Sequence, residues 1–131
     1  MESDGVRILR SGYEAFNRGD FKAAVELMHP DIEMQRAQSA PDPEPVRGVE
    51  AIRAWMQPDI FEEQHVDLVE IVENGDKIFV EGQFRVRARG SGIQIDDRAW
   101  HVWTIRDGKA ARLEFYARRA DALEAAGLKN A

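Results

Sequence analysis

The chain has 131 residues, 24 of them acidic and 18 basic, for a net charge of -6. That length suits one domain with one buried core, and the acidic balance argues against general nucleic-acid binding. Without cysteine there are no disulfides, no thiolate catalysis and no zinc–thiolate sites, and no apolar run reaches the roughly 20 residues of a membrane span. The first five residues, Met-Glu-Ser-Asp-Gly, have neither the basic start nor the apolar segment of a secretory signal, so a cytoplasmic location is expected.

Residues 4–18 read as an amphipathic helix, because Val6, Leu9, Tyr13 and Phe16 recur at three- and four-residue steps. Gly19 ends it in the left-handed conformation that glycine tolerates. Asp20 caps a second helix at 21–28, with Phe21, Ala24, Val25 and Met28 as its apolar face, and His29-Pro30 stops it. A strand over 31–38 buries Ile32 and Met34 and turns Glu33 and Gln35 outward. Pro41, Pro43 and Pro45 make 38–46 a proline-rich extended loop. A third helix at 48–57 carries Val49, Ile52, Trp55 and Met56, and Pro58 closes it. Strands follow at 65–73, 77–89, 93–106 and 109–117, divided by Asn74-Gly75-Asp76, Gly90-Ser91-Gly92 and Asp107-Gly108. Asp-Gly is the strongest hairpin signal, since both residues accept positive φ. A last helix at 118–126 ends at Gly127. Helices grouped on one side of an antiparallel meander define an α+β fold. The expected shape is a curved antiparallel sheet forming a cone, with three helices on its concave face.

Five stretches, taken in order and at their spacing, carry a resemblance: Tyr13 to Asp20, Met28 to Glu33, Arg47 to Ile52, His101 to Lys109, and Leu113 to Tyr116. They resemble the SnoaL-like family of the nuclear transport factor 2-like superfamily over nearly the whole chain. These motifs are turns, caps and core positions, so they imply a scaffold more than a reaction. The resemblance implies a single SnoaL-like domain over 1–131 with an apolar central pocket. The superfamily includes ketosteroid isomerases, limonene-epoxide hydrolases, polyketide cyclases, dehydratases and members that only bind ligands or proteins. Its catalytic signatures are not retained here. The inward Arg and Asp of the epoxide hydrolases fall at Gly82 and Phe84. The cyclase acid falls at Phe115, and alternation aims neighbouring Glu114 at the opposite face. The base, tyrosine donor and aspartate donor of the isomerases fall at Arg36, Gly12 and His101.

Strand parity ranks what remains. Ile78, Val80, Phe84, Val86 and Ala88 share the inward phase of their strand, as do Leu113, Phe115 and Ala117 of the last one. His101 is in phase with Ala99, Trp103 and Ile105, and a histidine can donate, accept or shuttle a proton near neutral pH. It is either a core histidine satisfied by one partner or a pocket-facing functional group. Arg36 continues the phase of Ile32 and Met34, and a buried guanidinium must be paired or wet. It would bind an acidic ligand at the pocket mouth, pair with Asp96, Asp97 or Glu63, or reach solvent. His101 and Arg36 are thus the catalytic candidates. Phe16, Met34, Trp55, Val80, Phe84, Trp103, Leu113 and Phe115 are the expected pocket wall, which in this fold is the same layer as the core.

His29 and His65 do not form a ligand spacing with His101, and no metal or cofactor is assigned. Arg85, Trp100, Val102 and Tyr116 lie on the opposite sheet face, where apolar groups rimmed by charge suit a homodimer contact. Three functions stay open. One is a lyase or isomerase acting on an apolar cyclic substrate, the second a ligand-binding module, and the third a dimeric interaction module.

Overall fold

The computed structural model describes residues 2–35, 44–56 and 61–128. Arg36, Pro41, Pro43 and Pro58 lie outside the described residues, as does most of the 38–46 loop. Helix α1 (Asp4–Asn17) starts at Ser3, whose hydroxyl accepts from the Val6 amide at 3.2 Å. Gly19, at φ 77°, turns the chain out of it. Asp20 caps α2 (Phe21–Glu26) by accepting from the Ala23 amide. That helix is shorter than its apolar pattern suggests. Met28, His29 and Pro30 already belong to strand β1 (Met28–Gln35). Proline is tolerated there because the pairing of β1 with its neighbour is interrupted between Met28 and Glu33, where no ladder bond needs its missing amide.

The other elements are β2 (Val46–Arg47), α3 (Val49–Met56), β3 (Phe61–Asn74), β4 (Lys77–Ala88), β5 (Gln94–Arg106), β6 (Lys109–Tyr116) and α4 (Arg119–Ala125). Strand β3 starts four residues earlier than its alternation suggests, and Ala117, expected inward, is exposed beyond the end of β6. Asp107 (φ 54°) and Gly108 (φ 74°) make the tight turn between β5 and β6. The six strands form a curved, unclosed sheet in the order β2-β1-β6-β5-β4-β3. All neighbours are antiparallel except β1 and β6, which run parallel.

Helices α1, α2 and α3 cover one face. Their Val6, Leu9, Ala24 and Ile52 share a core with Ile32, Met34, Ile78, Val80, Trp103 and Leu113. The fourth helix lies on the other face: its Ala122 and Leu123 pack with Phe79 and Val102, which have the opposite strand phase.

This corrects one residue of the expected dimer surface. Val102 is fully buried beneath α4 within the chain, so it is not presented to a second subunit. The Trp100 indole donates to the nearly buried Glu81 carboxylate at 2.9 Å. Glu81 also accepts from Arg98 at 2.7 Å and from Arg119 of α4. Burial alone would raise the Glu81 pKa, but the hydrogen bonds from Trp100, Arg119 and Arg98 outweigh it and hold the group below its ordinary value. The Arg119 guanidinium also sits over the Phe79 ring, 5.1 Å from its centroid. Of the four residues expected at a subunit contact, Arg85 is exposed and faces Asp96, while the Tyr116 hydroxyl donates to Glu114 at 2.6 Å.

Candidate functional site

Between α1, α2, α3 and the sheet lies a cavity of about 470 Å³. Helix α1 supplies Leu9, Gly12, Tyr13 and Phe16, because a three- to four-residue period points those positions at the sheet. Trp55 and Met56 come from α3, Val66 from β3, Phe84 from β4, His101 and Trp103 from β5, and Leu113 and Phe115 from β6. Of the expected wall, Phe16, Trp55, Phe84, Trp103, Leu113 and Phe115 line this cavity. Met34 and Val80 are fully buried in the same core but are not on its surface. Among the described residues no Asp, Glu, Lys or Arg lines it; the polar atoms come from Tyr13, Gln64, His101 and Trp103. Gln64 spends its amide on the Met56 carbonyl at 2.9 Å. A second, charged cavity shares Phe16, Phe61 and Gln64 with the first and is bordered by Arg18, Glu62, Glu63 and Arg89.

Register places His101 beside Val80 on one side and Phe115 on the other. Its side chain is buried, 3% exposed. The ring meets Phe115 edge-on at 4.4 Å between centroids and Phe84 at 5.5 Å. The hydroxyl of Tyr13, from α1, lies 3.0 Å from Nδ1. The Trp103 indole donates to that same hydroxyl at 2.9 Å. Among the described residues Nε2 is buried and has no hydrogen-bond partner. Burial pushes the His101 pKa from 6.5 down to about 3, and among the described residues no carboxylate lines the cavity beside it. That shift moves its titration well to the acid side of neutral pH. Burial also raises the Tyr13 phenol above its ordinary value, against a smaller lowering by the Trp103 hydrogen bond, so it stays protonated.

Tyr13 is the candidate site residue that helical periodicity hid, since a tyrosine on an apolar helix face counts as core. The signal available is its phenol: a buried Tyr hydroxyl needs a partner, and of the two inward polar candidates, His101 and Arg36, only a histidine can accept from it. Arg36 lies outside the described residues. Of the carboxylates considered as its partners, Asp96 faces Arg85, Glu63 faces Arg87, and Asp97 accepts from the Arg98 amide at 3.0 Å. Among the described residues no three His, Asp or Glu side chains converge as metal ligands.

A curved, unclosed sheet enclosing an apolar cavity with helices is the nuclear transport factor 2-like architecture. The profile of the SnoaL-like domain matches residues 9–113, and the chain belongs to that family. No protein of curated function matches it. Among solved structures it is similar to a nuclear transport factor 2-like protein of unknown function from Burkholderia pseudomallei. The two are 25% identical, with a TM-score of 0.77 over 94% of this chain and 97% of that one. It is also similar to TerC, co-crystallised with polyporic acid, at 24% identity and a TM-score of 0.76, covering 93% and 97% of the two chains. A third is Rv0760c of Mycobacterium tuberculosis in complex with estradiol-17β-hemisuccinate, at 17% identity and a TM-score of 0.78, covering 90% and 96%. These likenesses extend over whole chains and describe a shared fold.

Proposed function

We propose that this chain binds an apolar, ring-bearing small molecule in the α1–sheet cavity and anchors it on His101. One observation carries the proposal: a cavity of about 470 Å³ with no charged side chain on its described wall is lined by His101, whose ring nitrogen Nε2 is buried and, among the described residues, unpartnered. Pockets of this size, mostly apolar with few polar groups, suit compact organic ligands. Two proteins of the same fold, TerC and Rv0760c, were crystallised with ring compounds, which supports the same class here.

The alternative, a lyase or isomerase with His101 as acid–base and Arg36 as electrostatic stabiliser, gains no support from the described wall. A general acid or base works best with a pKa near the operating pH, and His101 is held near 3. We therefore take His101 as an anchor, not a proton carrier. The test is native mass spectrometry of freshly purified protein, alone and after incubation with neutral polycyclic compounds and with hydrophilic acids of similar mass. A mass increment for the neutral ring compounds alone is expected. Preferential uptake of the acids, or no uptake of any ring compound, would remove the proposal.

A further inference from the structure

We infer that Tyr13 and Trp103 fix which nitrogen of His101 carries the proton, and so make the cavity selective for ring compounds bearing a carbonyl-type acceptor oxygen. An indole N–H can only donate, so the 2.9 Å contact makes the Tyr13 oxygen an acceptor. The hydroxyl still has its own proton to place. Its other partner among the described residues is His101 Nδ1 at 3.0 Å. Donation there requires Nδ1 to be bare. A neutral imidazole carries one N–H, so the proton sits on Nε2. The opposite tautomer would make the Tyr13 oxygen accept twice. It would leave both the phenol proton and the Nε2 lone pair buried without partners, two unmet groups in place of one.

The unmet group is therefore a donor. Its ring neighbours, Phe84 and Phe115, offer only aromatic faces, weak acceptors beside a carbonyl oxygen. A ligand oxygen that reaches Nε2–H satisfies a group that an otherwise identical hydrocarbon leaves bare. The ligand half of this inference rests on the proposed binding function, whereas the tautomer half concerns the free protein. Tyr13 and Trp103 act here through His101, as positioning residues.

The two halves are tested separately. Two-bond proton–nitrogen NMR of labelled, ligand-free protein at neutral pH should show His101 protonated at Nε2 alone. In Tyr13→Phe, or in Trp103→Phe, which frees the phenol to accept from Nδ1, an Nδ1-protonated population should appear. A wild type protonated at Nδ1 overturns the assignment. Two folded variants with unchanged Nε2 protonation overturn the role of Tyr13 and Trp103. Fluorenone and fluorene, which share a ring skeleton and differ by one carbonyl, probe the ligand half through quenching of tryptophan fluorescence. Wild type should favour fluorenone by about threefold to tenfold, the size of one net hydrogen bond, and Tyr13→Phe should narrow that preference. Equal affinities overturn the acceptor class. If neither compound binds while the NMR result holds, the binding proposal and the ligand half fall together and the tautomer stands.

Discussion

Gly12 separates the stability of α1 from the use of the cavity. It lies inside α1 at a position without positive φ, and it borders the cavity. A Cβ at this site would meet only Leu27 Cδ1, at 3.8 Å, an ordinary contact. Alanine in a helix interior is favoured over glycine by about 0.5–1 kcal/mol, and the structure adds no steric term against it. Gly12→Ala should therefore raise stability by that amount, or Tm by roughly 2–4 °C for a chain of this length. Gly12→Leu adds three further carbons aimed into the empty space. It should fold, and any ligand that needs the volume must then overpack, at a cost of about 1–3 kcal/mol, roughly a tenfold loss of affinity or more. Thermal melts give the first quantity, and quenching of Trp55 and Trp103 fluorescence by a neutral polycyclic compound gives the second. If Gly12→Ala lowers Tm, α1 packs more closely than described. If Gly12→Leu is stable and binds like wild type, the ligand is elsewhere.

Three other outcomes are expected. Because the folded His101 pKa is about 3 against 6.5 ordinarily, the unfolded chain takes a proton below pH 6.5 that the folded one refuses. Stability should fall as pH drops from about 6.5 to 3, by up to about 1.4 kcal/mol per unit from this group; denaturant midpoints should show a shallower slope in His101→Gln. Gly127 has φ 73°, and a Cβ there would lie 2.8 Å from Asn74 Nδ2. Gly127→Ala should thus cost about 1–3 kcal/mol, read from the same midpoints. Glu81→Ala leaves the Trp100 N–H without its acceptor and releases Arg119 of α4. A loss of about 1–3 kcal/mol is expected, with faster hydrogen exchange in α4 than elsewhere.

The strand phases were legible because alternation in β4, β5 and β6 is strict where one face is buried. Ile78, Val80, His101, Trp103 and Leu113 share one face, and a positive-φ turn at Asp107-Gly108 locks β5 to β6. The side taken by α4 does not follow from its own periodicity, although a signal for it exists. Ile78-Phe79-Val80 is an unbroken apolar run, and such a run marks a strand covered on both faces. Phe79 needed a cover, and the C-terminal helix was the remaining amphipathic element. The end of α2 was misplaced for the converse reason. Proline is a strong helix stop, but a strand whose ladder is interrupted at the same point accepts it just as well.

The site was half legible. Parity could aim His101 at the cavity, but its chemistry depends on a contact between residues 88 positions apart in sequence, which no local period encodes. Sequence gives histidine its usual pKa and its usual range of roles, and burial removes most of them. A wall without a described carboxylate leaves no charge to stabilise imidazolium, so the ring stays neutral. A neutral ring has one proton, and the Tyr13 hydroxyl beside it already accepts from an indole. The lack of charged side chains on the described wall that suits the cavity to apolar ligands also gives acid–base chemistry at His101 no support there. On the proposed reading, the ring offers one oriented hydrogen-bond donor, which would distinguish ligands by an oxygen atom.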